Sequence, residues 1–118
     1  MNVEEVRQYC LSKKGATEDL PFDEVTLVFK VMGKMFALTG LDAAECSVNL
    51  KCDPERALQL REAHGDITPG YHMNKKHWNT VYCERELDTD FLEELIDHSY
   101  DLVVAGLRKK DREVLGNM

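Results

Sequence analysis

Val25-Thr26-Leu27-Val28-Phe29-Lys30-Val31-Met32-Gly33-Lys34-Met35-Phe36-Ala37-Leu38-Thr39 is the stretch that decides the fold of this 118-residue chain. Val25, Leu27, Phe29 and Val31 alternate with Thr26, Val28 and Lys30, which is the two-residue period of a strand, and Gly33 supplies a turn before a second apolar run. The pattern predicts a hairpin. Leu41 to Ala44 form the next connection, after which Cys46, Val48 and Leu50 alternate with Glu45, Ser47, Asn49 and Lys51, a strand with one polar face. Three consecutive antiparallel strands are expected.

On the N-terminal side, Asn2 and Glu5 have the spacing of a capping box, and Val3, Val6 and Cys10 recur at helical period up to Gly15, predicting a helix from Val3 to Lys14. On the C-terminal side, Asp53-Pro54 caps and opens a short helix carrying Ala57, Leu60 and His64 on one face, with Gly65 as its stop. Thr68-Pro69-Gly70 forces a turn. Tyr71 and Met73 then share a face, Trp78, Thr80 and Tyr82 alternate with Asn79, Val81 and Cys83, and Lys75-Lys76 fall near the turn between these two strands. Asp88-Thr89-Asp90 caps a last helix whose apolar positions run from Phe91 to Leu107, with Arg108-Lys109-Lys110 as its last turn. The order α-β-β-β-α-β-β-α makes the chain a single α+β domain spanning residues 1–118. It has two layers, an antiparallel sheet of about five strands with helices on one face.

Hydrophobic residues make up 43% of the chain, and a chain of this length buries roughly two-thirds of its unfolded surface. A formal net charge of -7 repels nucleic acid and anionic lipid at long range, which excludes indiscriminate coating of DNA. A local basic patch escapes that repulsion, because the Debye length at physiological ionic strength is about 8 Å. The N-terminus lacks a basic and an apolar leader region, and no apolar run approaches the roughly 20 residues of a membrane span. Cys10, Cys46, Cys52 and Cys83 have no CxxC spacing and sit in apolar-periodic stretches, as reduced thiols do. A cytoplasmic monomer with no membrane association is expected.

Ile67 to Cys83 contains no Asp or Glu although acids outnumber bases in the chain, and it gathers His72, His77, Trp78, Tyr71, Tyr82, Lys75 and Lys76. Lysines at a hairpin tip place ammonium groups against phosphates, while His77 or Trp78 beside them stacks on a base or sugar. Lys30 and Lys34 flank the other hairpin turn, so two hairpins projecting from one edge of the sheet would straddle a duplex. The ordinary account of the same residues makes Trp78 and Tyr82 core, Pro69-Gly70 a plain turn, and the lysines guards of a strand edge. Imidazole and thiolate are zinc ligands, but His64, His72, His77 and Cys83 follow no ligand signature, and no metal or other cofactor is expected. Cysteine-histidine catalysis needs an orienting third group and an oxyanion site, neither of which the spacing supplies, so no enzyme is expected. Arg108, Lys109, Lys110 and Arg112 read as cations at the negative end of a helix dipole, and Glu84, Glu86, Asp88 and Asp90 as a solvated loop leading into N-caps.

The run Pro69-Gly70-Tyr71-His72-Met73-Asn74-Lys75-Lys76-His77-Trp78, preceded by Val28 to Ala37, resembles the MmcQ/YjbR family of small bacterial proteins. Pro21-Phe22, Leu50 to Ala57 and Ser99-Tyr100-Asp101-Leu102-Val103 fall in the order that family places them, so the likeness spans nearly the whole chain. The resemblance implies an α+β fold comparable to CyaY-like and secretion-chaperone-like architectures, and a double-wing mode of binding double-stranded DNA. That mode falls on Lys30 and Lys34 at one hairpin and on Asn74, Lys75, Lys76, His77 and Trp78 at the other. Iron handling by analogy with CyaY is not expected, because the first helix lacks a dense acidic ridge and fold likeness does not transfer function. The alternative is a protein-interaction or small-ligand adaptor using an aromatic face around Tyr71, Trp78 and Tyr82.

Overall fold

In the computed structural model, which describes residues 1–71 and 73–118, the Asn2 side chain accepts from the Glu5 N–H while Glu5 reaches back to Asn2. This closed capping box opens α1 (Val3–Leu11). The chain continues through β1 (Ala16–Asp19), β2 (Thr26–Val31), β3 (Lys34–Gly40), β4 (Ser47–Lys51), α2 (Pro54–Ala63), β5 (Ile67–Pro69), β6 (Trp78–Tyr82), α3 (Thr89–Ala105) and α4 (Lys109–Gly116). The strands form one sheet in the order β1-β2-β3-β4-β6-β5, each neighbouring pair antiparallel. His72, and with it one arm of the metal reading, lies outside the described residues.

The α+β, two-layer expectation holds, with differences at four places. Ala16–Asp19 is a sixth strand at the sheet edge rather than a loop; its pattern is weak because both its faces are at least partly solvated. Its Glu18 takes both oxygens' bonds from Arg7 of α1, at 2.7 and 2.6 Å. α1 stops at Leu11, short of Lys14, as the chain turns through Gly15 at φ 71°. The strand before Trp78 is Ile67–Pro69 rather than one carrying Tyr71 and Met73. The last helix breaks at Gly106, Leu107 turns into the core, and Arg108 becomes the N-cap of a separate α4. The basic run therefore opens a helix, at its positive dipole end, instead of closing one; Arg108 is offset there by Asp111 at 3.2 Å.

One face of the sheet is covered. Phe29, Val31, Phe36, Ala37, Val48, Leu50 and Val81 meet Val6 and Cys10 of α1 and Leu92, Leu95, Ile96 and Val103 of α3 in the main core. Val28, Leu38 and Trp78 form a second cluster on the opposite face, with only Met35 and Met73 packed against them. Met32 at φ 49° and Gly33 at φ 80° make the two-residue turn between β2 and β3, and positive φ at both central positions matches a type I′ hairpin. The register shifts one residue further on, since Phe29 faces Ala37 but Lys30 faces Met35. Phe36 is the extra residue, and it and Ala37 both join the main core.

Ser99 of α3, fully buried, secures this bulge: its hydroxyl donates to the Phe36 carbonyl at 2.5 Å and accepts from the Lys51 N–H at 2.9 Å. Ser99→Ala leaves two buried backbone groups without partners. The expected loss is about 2 to 4 kcal/mol, read as a lower urea midpoint with an unchanged m-value.

The connection from Gly70 to His77 lies against β6 with little clearance. A Cβ on Gly70 would sit 2.9 Å from Trp78 Cβ and 3.0 Å from its carbonyl oxygen, whereas one on Gly65 would meet nothing within 4 Å. Gly70→Ala is expected to destabilise by about 1 to 3 kcal/mol through overpacking, and Gly65→Ala to stay within about 0.5 kcal/mol of the parent in thermal unfolding.

Candidate nucleic-acid interface

Antiparallel pairing throughout sends successive connections to alternate ends of the sheet. The β2–β3 turn, the β4–α2 junction, the β5–β6 connection, the α1–β1 turn and the α3–α4 break share one end. There the chain carries Lys13, Lys14, Lys30, Lys34, Lys51, Lys75, Lys76, Arg108 and Lys109 against Asp53. The β1–β2, β3–β4, α2–β5 and β6–α3 connections share the other. They carry Asp23, Glu24, Asp42, Glu45, Asp66, Glu84, Glu86 and Asp88 against the one cation Arg85.

The two hairpin tips thus project from the same end. With β4 between the two pairs of strands, their midpoints are about 14 Å apart at about 4.8 Å per strand. Lys34, Lys75 and Lys76 are exposed there. Among the described residues no carboxylate reaches Lys34, Lys51, Lys75 or Lys76 within ion-pair distance. Lys75 Nζ instead approaches the Gly70 carbonyl at 3.4 Å.

The other expected contact residues play structural parts. Lys30 is half-buried with Asp19 at 3.7 Å, so its charge is partly offset. Asn74 builds the turn, its side chain accepting from the Lys76 N–H at 2.9 Å and its carbonyl from the Trp78 N–H at 3.0 Å. His77 is half-buried, and its carbonyl takes the Cys52 N–H at 2.8 Å. Trp78 is 9% exposed in the cluster with Val28 and Leu38, so it is a packing residue and its ring presents no free stacking surface. Arg61 of α2 clamps the connection in place, donating to the Lys75 carbonyl, to the Trp78 carbonyl at 3.3 Å and to Asn79 Oδ1 at 2.7 Å.

At the acidic end the Arg85 guanidinium lies 3.9 Å from the centre of the Tyr82 ring and donates to Glu45 at 2.5 and 3.0 Å. That hydrogen bonding holds the Glu45 carboxyl below its ordinary range. Tyr82 is therefore roofed by Arg85 and does not join Tyr71 in an aromatic surface. All four cysteines are buried free thiols. Burial pushes the Cys10 thiol up to about 12, and the neighbouring Cys46 thiol, together with burial, pushes Cys83 up. Neither is poised as a nucleophile. No three metal-ligating side chains come together among the described residues. Among those residues no helix is long and apolar enough to cross a membrane.

Two features escaped the sequence reading. Lys51 ends the polar face of β4 between the two tips, where it looks like any solvated strand residue. Phe22, 64% exposed, stands with Tyr71, 72% exposed, beside an apolar hollow on the uncovered sheet face. Its place outside any periodic segment, next to Pro21, was the available signal.

Comparison with known proteins agrees with this architecture. The chain is 36% identical over 115 residues to protein YjbR of Escherichia coli strain K12, covering 98% of each chain. It is 43% identical over 93 residues to protein YbdF of Escherichia coli O157:H7, covering 79% of this chain and 76% of that one. Both relatives are described only as uncharacterized. The crystal structure of a Deinococcus radiodurans protein with the domain DUF419 superposes with a TM-score of 0.90 at 43% identity, covering 98% of this chain and 88% of that one. A Pseudomonas syringae protein superposes with a TM-score of 0.75 at 29% identity, covering 86% and 98%. The YjbR family model matches residues 11–102, and with these relatives it establishes that the chain belongs to the YjbR family.

Proposed function

We propose that this protein is a non-enzymatic, cytoplasmic DNA-binding protein that grips the backbone of a duplex with the tips of its two hairpins. The segregation of charge by sheet end carries this reading. A net charge of -7 opposes DNA only where the acids face it, and here the acidic connections lie at the far end, beyond a Debye length from the lysines. The tip separation of about 14 Å is comparable to a major groove about 12 Å wide. Phosphate contact positions a protein without reading sequence, so modest affinity and low sequence preference go with this surface.

Lys34, Lys51, Lys75 and Lys76 are the contacts we assign. Four phosphates neutralised give a slope of log affinity against log salt of about -3 to -4. Lys75→Glu with Lys76→Glu is expected to abolish duplex-dependent anisotropy changes while leaving the melting temperature unchanged, because neither side chain carries a packing role. Affinity that is indifferent to salt, or unchanged in the double variant, removes the wings from the account.

A further inference from the structure

All four helices lie on one side of the sheet, and the other side holds a hollow of about 450 Å3 lined by Met35, Leu38, Thr26, Asn49, Phe22 and Tyr71 among others. That volume falls within the range of small-ligand sites. The floor is apolar. Phe22 and Tyr71, both largely exposed, come from loops at opposite ends of the strands, β1–β2 and β5–β6, so they flank the floor along its length.

One polar group is fixed in the wall. The Thr80 hydroxyl accepts from the Tyr71 N–H at 3.1 Å and donates to Asn49 Oδ1 at 2.6 Å. With its oxygen committed to Thr80, Asn49 offers its amide N–H groups to an occupant. Met35 belongs to this hollow and also to a second, of about 290 Å3, whose lining includes Lys34 and Lys51. An aromatic-flanked apolar site with an amide donor therefore opens beside two ammonium groups that no carboxylate offsets.

We propose that this hollow receives one unpaired base of a DNA strand, stacked against Phe22 and Tyr71, with its ring acceptors toward Asn49 and its phosphate on Lys34 and Lys51. An acyl chain would use the same lysines but leave the Asn49 donor facing methylene groups, a loss that a heteroaromatic ring avoids. Stacking on aromatic side chains is the general way proteins hold unpaired bases. The inference rests on the backbone grip, since the same lysines serve both, and it makes the preferred substrate a junction of duplex and single strand.

Three labelled DNAs test it: a blunt duplex, the same duplex with a short single-stranded overhang, and that overhang with its bases removed. The overhang is expected to bind roughly tenfold more tightly than the blunt duplex, and the abasic overhang to lose that gain. Phe22→Ala and Tyr71→Ala are expected to lose the gain while binding the blunt duplex as the parent does, with unchanged thermal unfolding. Equal affinity for all three DNAs overturns the base site and leaves the grip standing; failure to bind the blunt duplex, with the overhang still held, overturns the duplex grip alone. Competition by a free nucleoside monophosphate separates the two sources of the same chemistry. Loss of the overhang advantage at micromolar nucleotide overturns the assignment to a strand, and an advantage that persists supports it.

Discussion

Every adjacent pair of strands in this sheet is antiparallel, and the distribution of charge over the molecule follows from that constraint. A connection can emerge only at the end where its strand stops, so the β2–β3 and β5–β6 tips come out together, with the β4–α2 junction between them. Lysine is concentrated in these connections and carboxylate in the others. The sign of the whole chain is then a poor guide to the surface a polyanion meets, because solvent screens charges on the far end within about 8 Å.

Packing all the helices on one side has the complementary effect of leaving a sheet face uncovered. Ser99 holds α3 to the bulged strand through Phe36 and Lys51, and Arg61 holds the β5–β6 connection to α2 through three acceptors. These bonds fix the two walls of the interface from behind, by elements that do not contact it. Trp78 serves the same purpose from within the uncovered face, as a buried platform under Met73. The aromatic side chains left to a ligand are Phe22 and Tyr71, which the loops carry past the strand ends.

Much of the fold was legible because it rests on short-range periodicity. The alternation in Val25 to Val31 and in Cys46 to Lys51, the capping box at Asn2 and the Asp53-Pro54 start all have local causes, and local causes are visible in sequence. β1 was missed because an edge strand with both faces partly wet shows no strong alternation, and its Glu18 is stabilised by an arginine eleven residues away. The break before α4 was missed because apolar residues at helical period run through Leu107, although Gly106 interrupts the helix that carries them. For the site, Lys34, Lys75 and Lys76 were legible as exposed turn residues. Lys51 and Phe22 were not, since what marks them is the strand order and the absence of a covering helix, both of which are tertiary facts.

The central claim is that one end of the sheet, and not the molecule as a whole, meets the phosphate backbone. Backbone amide shifts recorded during titration with a blunt duplex test it most directly. Perturbations confined to Gly33, Lys34, Lys51, Lys75, Lys76 and their neighbours, fading as salt is raised, are the predicted result. Shifts centred on Asp42, Glu84 and Glu86 at the opposite end, or none at any residue, would contradict it.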